Sequence, residues 1–244
     1  MRALTPLELL AAWERGLAQT PAERALELLR AACPDSPPEL LAGYSLGRRT
    51  AELLMFRERL FGRQMTAVAN CPQCADRLEL SLDSAEMYTK SSSDRKDKFF
   101  LKIGDYEINF RLPNTEDSMA IVRQADMADG RELVLRRCML GASCGRETVL
   151  PEKLPSEVIE AVSAAMAEAD PLADIEISIS CPSCRHGWQA AFDIVSFLWN
   201  EIESWVWRIM SDVHALASAY GWRERDVLEL SPTRRQFYLE MVGA

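Results

Sequence analysis

Two short turns constrain this chain more than anything else in it: Cys71-Pro72-Gln73-Cys74 and Cys181-Pro182-Ser183-Cys184, with an inserted segment of 106 residues between them. A Cys-Pro-x-Cys turn lets two thiolates converge on one ion while backbone amides point at the sulfurs. Two such turns complete a tetrahedral shell of four sulfurs, the arrangement that suits zinc. Each turn abuts a candidate strand. Leu78, Leu80 and Leu82 alternate with Glu79, Ser81 and Asp83 after the first turn. Ile175, Ile177 and Ile179 precede the second, and Trp188–Phe192 follows it. The pattern is that of a ribbon split by an insertion at about 84–173, with Cys71, Cys74, Cys181 and Cys184 as ligands of one structural zinc per chain. Metal-free vestigial knuckles are one alternative, since Ala75 and Arg185 stand where such turns commonly carry glycine. A redox pair is another, but a thioredoxin-type motif opens a helix after a strand, and here both turns have strand context. Four protein ligands leave no vacancy for His186 and no open coordination position, so the ion is structural and not catalytic.

The remaining thiols carry less. The cysteines number seven, an odd count. In a chain whose N-terminal stretch is broken by Pro6, Glu8 and Glu14 before an export signal could form, they read as reduced thiols of a cytoplasmic protein. Cys138 lies in an apolar helical pattern with Leu133, Leu135 and Met139 and reads as a small core residue. Cys33 borders a proline-rich break and Cys144 sits in a predicted loop. Catalysis is poorly provisioned: the two histidines are His186 and His214, and no nucleophile elbow, phosphate loop, dinucleotide fingerprint or metalloprotease motif occurs. The expectation is a chain that is not an enzyme, with no catalytic residues. A net charge of −9 weighs against nucleic acid as a partner, because phosphate binding needs a basic surface. It also weighs against an anionic membrane.

The pattern predicts an α+β protein, mostly helical, with a small antiparallel β region built around the split ribbon. Residues 1–66 read as a helical segment, 67–192 as a central α+β segment and 193–244 as a second helical segment. Helices are expected at Leu7–Trp13, from Thr20-Pro21 to Ala32, and from about Arg48 to Leu60 with Gly62 as the stop. Within the insertion, Phe99–Ile103 and Tyr106–Leu112 pair as a hairpin across Gly104-Asp105. Helices follow from Asn114 or Thr115 to about Met127, from Arg131 to Leu140 ending at Gly141, and from Pro155 to Ala169. Thr89–Lys98 reads as a solvated loop.

From Ile194 onward, Leu198, Ile202, Trp205, Ile209, Val213, Leu216 and Tyr220 recur in steps of three and four, a helix of more than six turns. Two short helices follow, near Glu224–Leu230 and Thr233–Val242. Trp199, Val206 and Met210 lie off the core stripe, and Trp207 and His214 lie nearly opposite it. Such a helix is either covered on two sides, by the N-terminal helices among others, or carries a binding face. In the second case Trp207, Met210, Arg234, Arg235, Phe237 and Tyr238 form a protein-binding surface, with aromatic anchors and a basic rim.

Several stretches together resemble one family. They are Ser45-Leu-Gly47-Arg-Arg-Thr-Ala-Glu-Leu-Leu54 through Phe61-Gly62, then Cys-Pro-x-Cys with Leu-Glu-Leu-Ser-Leu-Asp83. Next come Cys181-Pro-Ser-Cys184 with Trp188, Phe192-Asp193 and Phe197-Leu-Trp199-Asn-Glu201. The end is His214 to Tyr220-Gly-Trp222, then Leu230-Ser-Pro-Thr-Arg234-Arg235-Gln-Phe-Tyr238. Over nearly its whole length the chain resembles the T-even-type phage baseplate hub assembly chaperones, in the branch found with phage-like contractile injection systems. The resemblance implies a cytoplasmic assembly chaperone without catalytic residues, whose partners are the hub, spike or tube proteins of a contractile tail. A structural baseplate component retained in the particle, or a zinc-ribbon adaptor for nucleic acid, are the alternatives.

Overall fold

A computed structural model describes residues 1–88, 98–123 and 130–243 of the chain. The expected solvated loop at Thr89–Lys98, apart from its last residue, and the end of the helix near Met127 fall outside the described residues. The chain divides into two compact units: residues 1–34 with 195–244, and residues 35–194. The fold is α+β, helices with small antiparallel sheets. Among the described residues, no helix is long and apolar enough to cross a membrane.

The first unit is helical. Its helices α1 (Pro6–Gly16) and α2 (Pro21–Ala32) open alike: Thr5 and Thr20 each accept from the N–H three residues on, and Glu8 and Glu23 reach back to the cap's own N–H. Proline follows each cap, where its missing N–H costs nothing. Close packing is set by Gly16, where a Cβ would lie 2.3 Å from the Trp199 ring. Arg24 stacks 4.4 Å above that ring and donates to the Gly16 carbonyl. Trp199 belongs to α9 (Ile194–Tyr220), which buries Leu198, Ile202, Val206, Ile209 and Leu216. Gly221 ends this helix at φ 66°, and α10 (Glu224–Leu228) and α11 (Pro232–Val242) fold back so that Leu216, Val227 and Leu239 share a small core.

The second unit begins with the short α3 (Pro38–Ala42) and with α4 (Leu46–Phe61), stopped by Gly62 at φ 87°. Two hairpins follow, far apart in sequence: β1 (Gln64–Asn70) with β2 (Arg77–Asp83), and β7 (Ile175–Ser180) with β8 (Gly187–Phe192). Each is a separate two-stranded sheet. After β2 comes the short α5 (Ser84–Tyr88). The inserted segment then builds a sheet in the order β3 (Phe99–Ile103), β4 (Tyr106–Phe110), β5 (Met139–Cys144), β6 (Glu147–Thr148). Helices α6 (Thr115–Arg123), α7 (Gly130–Cys138) and α8 (Ser156–Ala169) accompany it. One sheet face packs on α7 and α8 through Ile108, Phe110, Leu135, Cys138, Val158 and Val162, all buried.

The structure corrects the expected helix over Arg131–Leu140 and the loop at Cys144. The helix ends at Cys138, and Met139–Cys144 is a strand paired to β4 across a bulge near Asn109. Cys138 itself is fully buried, as expected.

One polar clasp holds the inserted segment together and a second ties it to the rest of its unit. Asp117 accepts from both ends of the Arg111 guanidinium, from Arg137 and from the Asn114 N–H. Burial alone pushes the Asp117 carboxyl up, but these donors outweigh it and hold the pKa down at about 2. The second clasp joins the end of α8 to the start of α4. Asp170 accepts from the Gly47 N–H at 2.9 Å, satisfying a donor that the helix start leaves orphaned. A Cβ on residue 47 would lie 2.1 Å from the Asp170 carboxylate. Replacing Gly47 by Ala is therefore expected to break the clasp and destabilise the chain by about 2 kcal/mol in urea unfolding.

Candidate metal centre

The two knuckles are built by the same local rules. In each, six residues bridge an antiparallel pair, closing from Asn70 to Arg77 in one hairpin and from Ser180 to Gly187 in the other. The N–H of the first cysteine donates to the carbonyl of the sixth residue, Cys71 to Asp76 at 2.8 Å and Cys181 to His186 at 2.9 Å. The N–H of the fifth residue donates back to the first carbonyl, Ala75 to Cys71 and Arg185 to Cys181, both at 2.9 Å. That closure requires the left-handed conformation, and Ala75 adopts φ 58° and Arg185 φ 63°. Alanine and arginine thus occupy a conformation that glycine takes without cost.

The turn also aims backbone donors at sulfur. The N–H groups of Gln73 and Cys74 serve Cys71, that of Asp76 serves Cys74, and that of His186 serves Cys184. Beneath the knuckles lie Leu78 and Ile179, buried, with Ala69, Leu80, Ile177, Trp188 and Ala190 around them. Cys71 and Cys181 are buried and Cys74 is exposed.

The four expected ligands converge. Their sulfurs all lie within 4.8 Å of one another. Cys71 Sγ is 3.6 Å from Cys184 Sγ, and Cys74 Sγ is 3.6 Å from Cys181 Sγ. A zinc ion bonded to four sulfurs at about 2.3 Å sets the sulfurs roughly 3.8 Å apart, so the pocket has the size of that shell. The two equal distances relate the knuckles by a local two-fold, with Cys71 matching Cys181 and Cys74 matching Cys184. Without an ion the thiols titrate unequally. Burial raises Cys71, yet the backbone donors of Cys74 and Gln73 outweigh it and bring the pKa to about 7. At Cys74 the Asp76 N–H lowers the pKa, but the neighbouring sulfurs, Cys184 foremost, push it up to about 12. A cation relieves the mutual repulsion that causes this, which is how metal binding drives thiols to thiolates.

The other sequence-marked residues lie on α9 and α11 and differ in exposure. Trp207 is 74% exposed, so the N-terminal helices leave it uncovered; Phe237 is 59% exposed. Arg234 is exposed and Met210 is half-buried. Arg235 is turned inward, paired with Asp212 at 2.9 Å. Tyr238 packs edge-on against Trp222 and Tyr220. Met241, 72% exposed, lies one helical turn beyond Phe237 and was not singled out in the sequence; its spacing of four from Phe237 was the available signal. The first strand of the first knuckle was also missed. Met65, Ala67 and Ala69 face inward in β1, and two alanines make too weak an alternation to read as a strand.

A family model described as "T4 bacteriophage base plate protein" matches residues 8–199. Comparison with the curated proteins and with the solved structures found no match. The matched stretch contains both knuckles and the whole inserted segment.

Two outcomes are expected. Stripping metal from the folded chain with a strong chelator lowers its thermal unfolding temperature by roughly six to twelve degrees, on the order of 3 kcal/mol for a shell that spans distant sequence, and zinc restores it. Ala75→Gly and Arg185→Gly each raise stability by about 0.5–1 kcal/mol, because relief of the left-handed strain exceeds the added freedom of the unfolded chain. Urea unfolding of the metal-loaded variants measures it.

Proposed function

Because the chain belongs to the T4 bacteriophage base plate protein family, and so has a role associated with the phage baseplate, we propose that it is a non-enzymatic assembly chaperone for the hub or spike of a contractile phage tail or phage-like contractile injection system. It acts in the cytoplasm, by binding tail proteins. The family match over residues 8–199 carries this reading. Three features support it. The four-cysteine pocket has the composition and size of a closed structural zinc shell, with no ligand position left for substrate. The surface is acidic, with a net charge of −9, which disfavours nucleic acid. The helical unit displays exposed Trp207 on α9, and Phe237 and Met241 on α11, residue types that anchor protein interfaces.

In this reading zinc held by Cys71, Cys74, Cys181 and Cys184 supplies rigidity and no chemistry. Trp207 and the exposed side of α11, with Arg234 and Phe237, meet the client. Arg235 and Tyr238 hold α11 in place from inside.

The test is capture of partners from cells that express the tail genes, with wild type and with Trp207→Ala. The wild-type chain is expected to bring down hub or spike proteins. Trp207→Ala, which removes an exposed side chain, is expected to keep its helical circular dichroism and lose at least tenfold in capture. Finished particles should lack the chain. Stoichiometric retention in particles identifies a structural baseplate component instead, and unaltered capture by Trp207→Ala removes α9 from the interface.

A further inference from the structure

We propose that Asp76 and Ser183 form a latch that joins the two knuckles and sets their cysteines for metal, an inference that rests on the zinc reading above. Ser183 Oγ donates to Asp76 Oδ2 at 2.5 Å, across 107 residues of sequence. Both residues lie inside the knuckles. Ser183 is the variable position of Cys181-Pro-Ser-Cys184, and Asp76 is the sixth residue of the first turn, whose carbonyl accepts from the Cys71 N–H and whose N–H serves the Cys74 sulfur. Asp76 therefore touches the first knuckle through its backbone and the second through its side chain.

The hydrogen bond has a direction. It holds the middle of one turn against the end of the other. The local two-fold places Gln73 and His186 at the matching positions, and His186 is used otherwise, stacked on Trp188 with ring centres 6.0 Å apart. The latch thus belongs to one side of the site.

Charge alone argues against an aspartate here. Four thiolates around zinc make a doubly negative shell, and a carboxylate beside it is repelled. If Asp76 acted only as a charge, its removal would tighten metal binding. As a latch it does the reverse: it orders the second knuckle relative to the first before the ion arrives, lowering the entropy that binding must overcome. The pair is solvent-exposed, which places its effect near the lower end of what groups supporting metal ligands contribute, about tenfold in affinity.

The experiment is zinc titration of the full-length reduced chain against a competing chromophoric chelator. Wild type, Asp76→Ala, Ser183→Ala, the double variant and Ser183→Thr are compared, with Cys74→Ser as the control that lacks a ligand. Expected are an approximately tenfold loss of zinc affinity in each single alanine variant, no further loss in the double variant, and recovery in Ser183→Thr, which keeps the hydroxyl. Affinity that is unchanged or tighter in Asp76→Ala while Cys74→Ser fails to bind overturns the latch and leaves the metal centre standing. A wild-type chain that binds no zinc overturns the metal reading, and the latch with it.

Discussion

Everything between Cys74 and Cys181 has to return to where it started, because the sulfurs of Cys74 and Cys181 end 3.6 Å apart. That convergence is the constraint on which the central part of the molecule depends. Each hairpin is a two-stranded ribbon with its own sheet, and an isolated hairpin is marginal in water. The two become a stable platform when a small apolar layer, Leu78 and Ile179 at its centre, is closed over by the knuckles. An ion held by all four thiolates would remove from the unfolded chain the freedom of a loop of about 100 residues. By the entropy argument used for disulfides, that is worth about 4–5 kcal/mol. Such a staple matters more here than in a protein with one large core, since the inserted segment has a core of its own around Ile108, Phe110 and Val162.

The insertion is clasped a second time, away from the cysteines. Asp170, at the end of α8, caps the first turn of α4 through the Gly47 N–H, with Arg49 lending its charge nearby. Gly47 is needed less for its backbone freedom than for the space a Cβ would take from that carboxylate. The Ser-Leu-Gly-Arg stretch that stood out in the sequence thus serves a structural end: it receives the returning chain. Asp117, gripped by Arg111 and Arg137, plays the corresponding part inside the insertion, between the end of β4 and helices α6 and α7.

Much of this was legible in the residues. The cysteine spacing picked out the four thiols that the structure brings together, two matching turns each supplying a pair. The Thr20-Pro21 pair announced one helix start, and the Leu198–Leu216 periodicity announced a long amphipathic helix. The losses have physical causes. Strand β1 hides behind Ala67 and Ala69. Strand β5 follows α7 without any breaking residue, so the helical pattern ran on to Gly141, and only pairing with β4, a tertiary contact, decides it. The proposed client face was half legible. Trp207 is exposed as its position opposite the core stripe allows, whereas Arg235 and Tyr238 are consumed by Asp212, Trp222 and Tyr220, partners that no single-helix pattern reveals.

Membership of the base plate protein family gives these parts a common purpose in the reading proposed above. In that reading a metal at the four cysteines would hold the two hairpins together, and the helical unit would offer its exposed aromatic side chains to a partner. The most direct test of the central claim is the zinc-edge X-ray absorption spectrum of the full-length chain purified without chelator. One zinc per chain surrounded by four sulfurs at about 2.3 Å is expected, with the sulfur shell lost in Cys74→Ser. A first shell of nitrogen or oxygen, or a folded wild-type chain with no stoichiometric metal, would contradict it.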